Sequence, residues 1–350
     1  MCKVFLFLGA FFCVLFFSLS MTIDPLYVSD QLTYFYLAMV KADIGFLSDD
    51  WLASTRPLYP AFMTFVYLCL HFLHPFVFYF FIFLFMGVYV FSLLGIVSES
   101  LSVKRRWIPL SFTYLFLIVI HSKWAASFFS WSDLFHPKNF FRGVANQYLI
   151  TTHFIPSSFD ILLLVSIFMF LKKKYYFAII FPLICVLFHP ASGAAACFLM
   201  AVYILYIFFA EKNKQVAIKL TVLSLVCLLP TVFYSMYVVL QASDEAMSVF
   251  RNVRAADSQV VSNWISWDVG MRVLFFVFSL YIVKRSRLAV VMGGCFVMGA
   301  GLTFLQFVTR SSFLAIIVPW RIMAVLTPLS TAIIGYYCFS GVLKMSSSWH

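Results

Sequence analysis

Charge is what this sequence has least of. Only 11% of its 350 residues are Asp, Glu, Lys or Arg, and only 13 are acidic. Soluble domains carry about 25% charged residues, so a soluble protein is excluded. No internal repeat is visible, and no polar stretch is long enough for a soluble domain. The eight cysteines lie in or beside apolar runs, with no CxxC and no His at ligand spacing. They read as small core or lipid-facing residues, which leaves no zinc site and no redox pair. There is no GxxxxGK[ST], no HExxH and no GxSxG in a fitting context. A nucleotide-driven pump is therefore excluded, as is an enzyme that works through a cytoplasmic nucleotide-sugar domain.

What remains is grease. Hydrophobic residues make up 64% of the chain, in runs of about 20, the length that crosses a bilayer core as a helix. A β-barrel would show weak alternation rather than continuous apolar runs. In lipid the backbone must satisfy itself, so the runs are helices. The expected fold is all-α: a polytopic integral membrane bundle of about 10–12 transmembrane helices, one domain over residues 1–350. The apolar segments are about 4–22, 57–73, 76–97, 107–121, 154–171, 175–190, 191–209, 216–240, 270–283, 288–308 and 321–342. The first reads as an uncleaved span rather than a signal peptide, because it reaches Met21 and many more spans follow.

The net charge of +11 does not point to nucleic acid. The basic residues form small clusters beside apolar runs, at Lys104–Arg106, Lys172–Lys174, Lys212/Lys214 and Lys284/Arg285/Arg287, as the positive-inside rule places them. With those clusters and Lys3 inside, the outer loops are about 23–56, 122–153, 241–269 and 308–320. One conflict remains. Both termini inside demand an even number of spans, yet eleven segments are present. If 57–73 and 76–97 both cross, Lys104–Arg106 falls outside. Either one segment is re-entrant, or 122–153 hides a further crossing.

The scarce carboxylates gather in DQLTYFYLAMVKADIGFLSDDW, residues 30–51. Ser29 is a good N-cap with Asp30 in the first turn. Leu32, Phe35, Tyr36, Met39 and Val40 form one helical stripe, and Gly45 stops it. Ser48 caps a second short helix that opens with Asp49 and Asp50 and ends at Arg56-Pro57. Two amphipathic helices on the membrane surface are expected. The acids are either plain helix-start residues in a solvated loop or a general base beside the bilayer, its basicity raised by partial desolvation.

This layout resembles the GT-C superfamily of membrane glycosyltransferases. The matching pieces are VSDQLTYFYLA, FLSDDWL and RPLYPAF in the first outer loop. NQYLITTHFIPSSFD leads into a span, a basic turn and a return span ending in HPASGA, and FLQFVTRSSFLAIIVPWRIMAVLTPL lies near the end. The chain is shorter than many members and has no soluble outer domain. The resemblance implies an enzyme moving a sugar from a polyprenyl-phosphate-linked donor to a glycan, lipid or protein acceptor outside the cell membrane. It implies Asp30 as base or acceptor anchor, with Asp49 and Asp50 supporting the acceptor or a divalent metal (Mg or Mn). Such a donor needs cations on the outer side. Arg321 and Arg310, which bracket SSFLAIIVPW, are the first candidates and Arg142 the next. Snorkelling at a span end, or pairing with an acid, is the plainer account of them. His153 and His189 map to the same side as supporting donors or bases, or as capped core histidines; His189-Pro190 reads as a helix end. Trp264 and Trp267 fit interfacial anchors, or a platform for a sugar ring.

Other functions stay open: a polysaccharide polymerase or ligase, a transporter of a lipid-linked glycan or small solute, or a non-catalytic subunit. Against transport, no inverted repeat is seen and ionisable residues within spans are scarce, Asp160 and Lys219 being the main exceptions. The composition suggests a bacterial inner membrane.

Overall fold

The computed structural model describes residues 2–28, 30–45, 57, 59–101, 107–121, 138–243, 245, 249 and 260–347. Asp49 and Asp50, the second short helix of the first loop, and Lys104–Arg106 lie outside these residues. The described chain is helical, with no strand and one isolated antiparallel bridge, Arg142–Tyr148. The helices are α1 (Cys2–Ser20), α2 (Gln31–Tyr34), α3 (Tyr36–Lys41), α4 (Pro60–Phe72), α5 (Val77–Ser100), α6 (Trp107–His121) and α7 (Lys138–Phe141). There follow α8 (Leu162–Leu171), α9 (Tyr175–Phe188), α10 (Gly193–Phe209), α11 (Lys214–Leu240) and α12 (Val261–Trp264). Last come α13 (Trp267–Ile282), α14 (Arg287–Thr309), α15 (Ser312–Ile317) and α16 (Ile322–Ser347). Short 3-10 turns at Pro156–Ile161, Pro190–Ser192 and Pro319–Arg321 lead into α8, α10 and α16; at each, a proline sits in the first turn, where a missing N–H costs nothing.

Among the described residues five helices are long and apolar enough to cross a membrane: Val77–Ser100, Pro190–Phe209, Lys214–Leu240, Arg287–Thr309 and Ser312–Gly341. Others are apolar but short. α4 has 13 residues, α6 has 15 and α9 has 14, about 20 Å each at 1.5 Å per residue, against a bilayer core of about 30 Å.

The basic turns collect at one end. Lys172 pairs with Glu99 at the close of α5, Arg287 lies 3.2 Å from Glu211, and the Tyr175 hydroxyl donates to Glu211 at 2.6 Å. Single left-handed residues, Lys173 and Lys212, make the turns tight.

α4 starts and ends at the opposite end. Tyr59, just before it, packs on His189 with ring centroids 5.6 Å apart, and its last residues run through His74-Pro75 straight into the start of α5. Phe62 and Phe65 pack on Phe154, which also meets Phe78 and Phe81 near the start of α5. α4 thus begins and ends at one end of the bundle, while the other way out of the parity conflict, a crossing within 122–153, falls largely outside the described residues. α5 then carries the chain to the basic end at Ser100, and α6 leaves from there. α1 differs from what Lys3 suggests. Its contacts with α5 rise together in number, Phe11 with Phe83, Val14 with Gly87 and Phe17 with Tyr89. It therefore runs in the same sense as α5, and the chain turns back through left-handed Thr22 and Tyr27. The Leu26 N–H then reaches the Tyr79 hydroxyl at 3.1 Å.

The short helices share a cause. The 141–161 segment, read from sequence as mostly an outer loop up to 153, is a plug. Val144, Leu149, Ile150, Phe154 and Phe159 are all buried, and they occupy the space that longer helices would fill. Irregular backbone survives inside such a bundle only when its polar groups are met. Here Gly143 N–H donates to Gln147 O at 2.8 Å, Asp24 N–H to Thr152 O at 3.0 Å, and the Gln31 side chain to Phe154 O at 3.1 Å.

Candidate functional site

The first-loop helix forms, with its face turned from the one expected. Asp30 is the N-cap of α2 and makes no side-chain cap bond; Phe35 joins α2 to α3 in helical conformation. Gln31, Phe35 and Ala38 are buried and Leu32 is 62% exposed. The buried stripe thus begins at a polar residue. Gln31 satisfies both ends of its amide: Oε1 accepts from Tyr27 N–H at 2.8 Å while Nε2 donates to the plug. The helix closes at Lys41, ahead of Gly45, through left-handed Asp43.

The charged centre of the molecule is Asp160, 1% exposed, in the 3-10 turn before α8. Oδ1 accepts from His189 Nδ1 at 2.7 Å and from Ser192 Oγ at 2.6 Å, with Cys185 Sγ at 3.4 Å. Oδ2 accepts from Arg321 Nε at 3.2 Å and Nη2 at 3.1 Å. The local sequence explains the convergence. His189 follows the last residue of α9, Pro190 opens the turn that holds Ser192, and Pro319 opens the turn that delivers Arg321. Val318 sits left-handed at φ 47°, strained for a β-branched residue, and this bend aims the Pro-Trp-Arg turn at the bundle interior. A buried carboxylate is tolerable only with such partners. With Nδ1 donating to Asp160, the His189 lone pair lies on Nε2; among the described residues that atom makes no hydrogen bond. The Arg321 fork uses Nε and Nη2, leaving Nη1 for another acceptor. The cluster sits 14 residues of α9 above the basic turns, about 21 Å.

A chain of aromatic groups links this cluster to the first loop. Tyr59 packs at a tilt on His189, and its ring is 5.2 Å from that of Tyr34. Both phenols feel the charges of Asp30 and Arg321, and burial pushes both up, so they stay protonated donors. Asp30, Arg321 and His189, three of the residues singled out from sequence, therefore share one neighbourhood. Asp160, Tyr59, Tyr34 and Ser192 join them without having been picked as site residues. Asp160 was noted only as an ionisable residue near a span, and Ser192 and the tyrosines carry no sequence signal of their own.

The remaining candidates lie elsewhere. Arg142 donates to Asn146 Oδ1 at 3.3 Å and stacks over Tyr148 at 4.2 Å. Burial and the nearby Arg272 cation lower it to about 10. His153 lies 3.5 Å from Asp24 Oδ2, the carboxylate that also accepts from the Thr152 hydroxyl. Arg310 is the exposed, left-handed C-cap of α14. Trp264 packs on buried Trp320, centroids 5.3 Å apart, while Trp267 is 70% exposed.

For a divalent metal the described residues offer no group of three or more His, Cys, Asp or Glu. Asp160 has both oxygens taken by protein donors, so it does not fit that role, and no step below runs through a metal. Compared with protein families, curated proteins and solved structures, the chain matches none.

Proposed function

We propose that the chain is a multi-pass membrane protein whose basic turns face the cytoplasm. At the opposite face it acts as a glycosyltransferase using a polyprenyl-phosphate-linked sugar, in cell-surface glycan assembly at a bacterial inner membrane. The observation that carries this reading is the path of contacts at that end from Asp30, whose carbonyl accepts from Tyr34 N–H at 3.1 Å, through the Tyr34–Tyr59 and Tyr59–His189 ring pairs to the Asp160–Arg321 pair. An acceptor hydroxyl attacks the anomeric carbon. The bond from that carbon to the phosphate oxygen breaks, and the lipid phosphate leaves with the electron pair. Asp30 takes the acceptor proton, and Arg321, held by Asp160, offers Nη1 to the phosphate. His189 Nε2 supports the acceptor from the other side of Tyr59.

A transporter is the second reading. The Asp160–Arg321 pair favours it, because ionisable residues at such depth mark substrate paths by default.

The test is glycan-product formation in membranes carrying wild type, Asp30→Asn or Arg321→Lys at matched expression. Asp30→Asn is expected to lower the rate by about 10²–10⁴, the usual worth of a general base. Arg321→Lys loses the planar fork and falls by at least about tenfold. Full activity in Asp30→Asn removes it as base. Product from neither variant nor wild type, with a labelled solute crossing the membrane instead, selects the transporter.

A further inference from the structure

A second feature lies at the far end of the bundle, away from Asp160. Between α10 and α14 runs an open apolar cleft of about 350 Å³. Its floor is formed where Gly294 lets α14 approach α10: a Cβ there would stand 2.8 Å from Val202 Cγ2. Its walls are Leu205, Phe209 and Val290, all exposed large apolar side chains. Tyr206 closes one side, with the Arg287 guanidinium 5.7 Å from its ring.

The surroundings of the cleft carry strong positive charge. Lys172, Lys173, Lys174, Lys212, Lys214, Lys284, Arg285 and Arg287 sit on the turns at this end, against the carboxylates Glu99 and Glu211 among the described residues. Glu211 holds Arg287 and Tyr175, and Lys284 folds over the Tyr281 ring at 3.9 Å. The cleft's volume falls within the range of small-molecule sites; its lining is apolar, and Arg287, beside Tyr206 and the Lys284–Arg285 turn, stands at its edge.

We infer that this cleft is a binding site for one anionic phospholipid. An acyl chain lies along Leu205, Phe209 and Val290, and the head-group phosphate rests on the Lys284–Arg287 turn. Charge complementarity selects the occupant: a zwitterionic lipid gains the same apolar contact but not the attraction of the basic turn. The inference rests on the membrane reading and is independent of any transferase activity.

The experiment uses the full chain in detergent micelles, with lipids counted by native mass spectrometry after adding phosphatidylglycerol or phosphatidylcholine. One phosphatidylglycerol is expected to remain bound and phosphatidylcholine is not. Val290→Trp fills the cleft and lowers retention by at least about tenfold, roughly 1.4 kcal/mol. Val308→Trp, five turns away at the other end of the same helix and 61% exposed, leaves it unchanged. Lys284→Gln/Arg285→Gln lowers phosphatidylglycerol retention without adding phosphatidylcholine. Equal retention of the two lipids, or full retention in Val290→Trp, overturns the inference. A chain that stays in solution without detergent overturns the membrane reading instead.

Discussion

Asp160→Ala is expected to cost about 3–5 kcal/mol, the usual result of removing one partner from a buried ion pair. The loss comes less from missing bonds than from what is left behind. Arg321 keeps its charge with no carboxylate beside it, and His189 and Ser192 lose the acceptor that fixed them. Arg321→Ala strands the same charge with the opposite sign and is expected to cost a similar amount. The double variant Asp160→Ala/Arg321→Ala leaves neither charge unpaired. Its loss is expected to be well below the sum of the two single losses, with a coupling of about 1–3 kcal/mol. Thermal unfolding of the detergent-solubilised chain, with all four forms run together, measures this. Additive losses show that the pair contributes no more than two independent contacts. The double variant also lacks the Arg321 guanidinium, so it is expected to stay inactive even where its stability returns.

The apolar segments were legible because lipid-length runs leave the backbone no choice but helix, and α10, α11 and α14 fall within about two residues of their expected bounds. The basic clusters were legible too, and those at Lys172–Lys174, Lys212/Lys214 and Lys284–Arg287 share one end. The plug was not. VANQYLITTHFIPSSF mixes polar and apolar residues as a surface loop would. Only tertiary packing around Phe154 shows that it is buried, because its polar atoms bond to Asp24 and Gln31 from a distant part of the chain. The same reason hid Asp160. A carboxylate four residues past Pro156 looks like a helix-start acid until Arg321, 161 positions away, is seen to meet it. Gln31 misled in the opposite way, since a glutamine at a buried position reads as the solvent face and shifts the stripe by one residue. Arg321 and His189 do stand at helix boundaries, where the sequence put them, but their common partner could not be read from spacing.

Gly143→Ala is expected to be among the most damaging single-atom additions in the chain. The new Cβ would lie 2.5 Å from Ala324 N, 2.7 Å from Ala324 Cα and 2.9 Å from Met323 C. All three are backbone atoms near the start of α16, so no side chain can swing away. The hairpin cannot retreat either. Gly143 N–H is bonded to Gln147 O, Arg142 is bridged to Tyr148, and the Thr331 hydroxyl holds Phe140 O at 2.6 Å. Overpacking a tight core costs about 1–3 kcal/mol and occasionally more; a clash of backbone on backbone belongs at the upper end, and Gly143→Val beyond it. The comparator is Gly301→Ala in α14, where nothing stands within 4 Å of the added atom. There the helix gains, by about 0.5–1 kcal/mol. A melting difference of that sign between the two alanine variants tests the packing. The position also reaches the site. Ala324 follows Arg321 by one turn, and the plug continues from Gly143 into the turn that carries Asp160, so relief of the clash moves the two halves of the ion pair apart. Molecules of Gly143→Ala that still fold are therefore expected to lose activity beyond their loss of stability, whereas a purely structural role predicts normal activity per folded molecule.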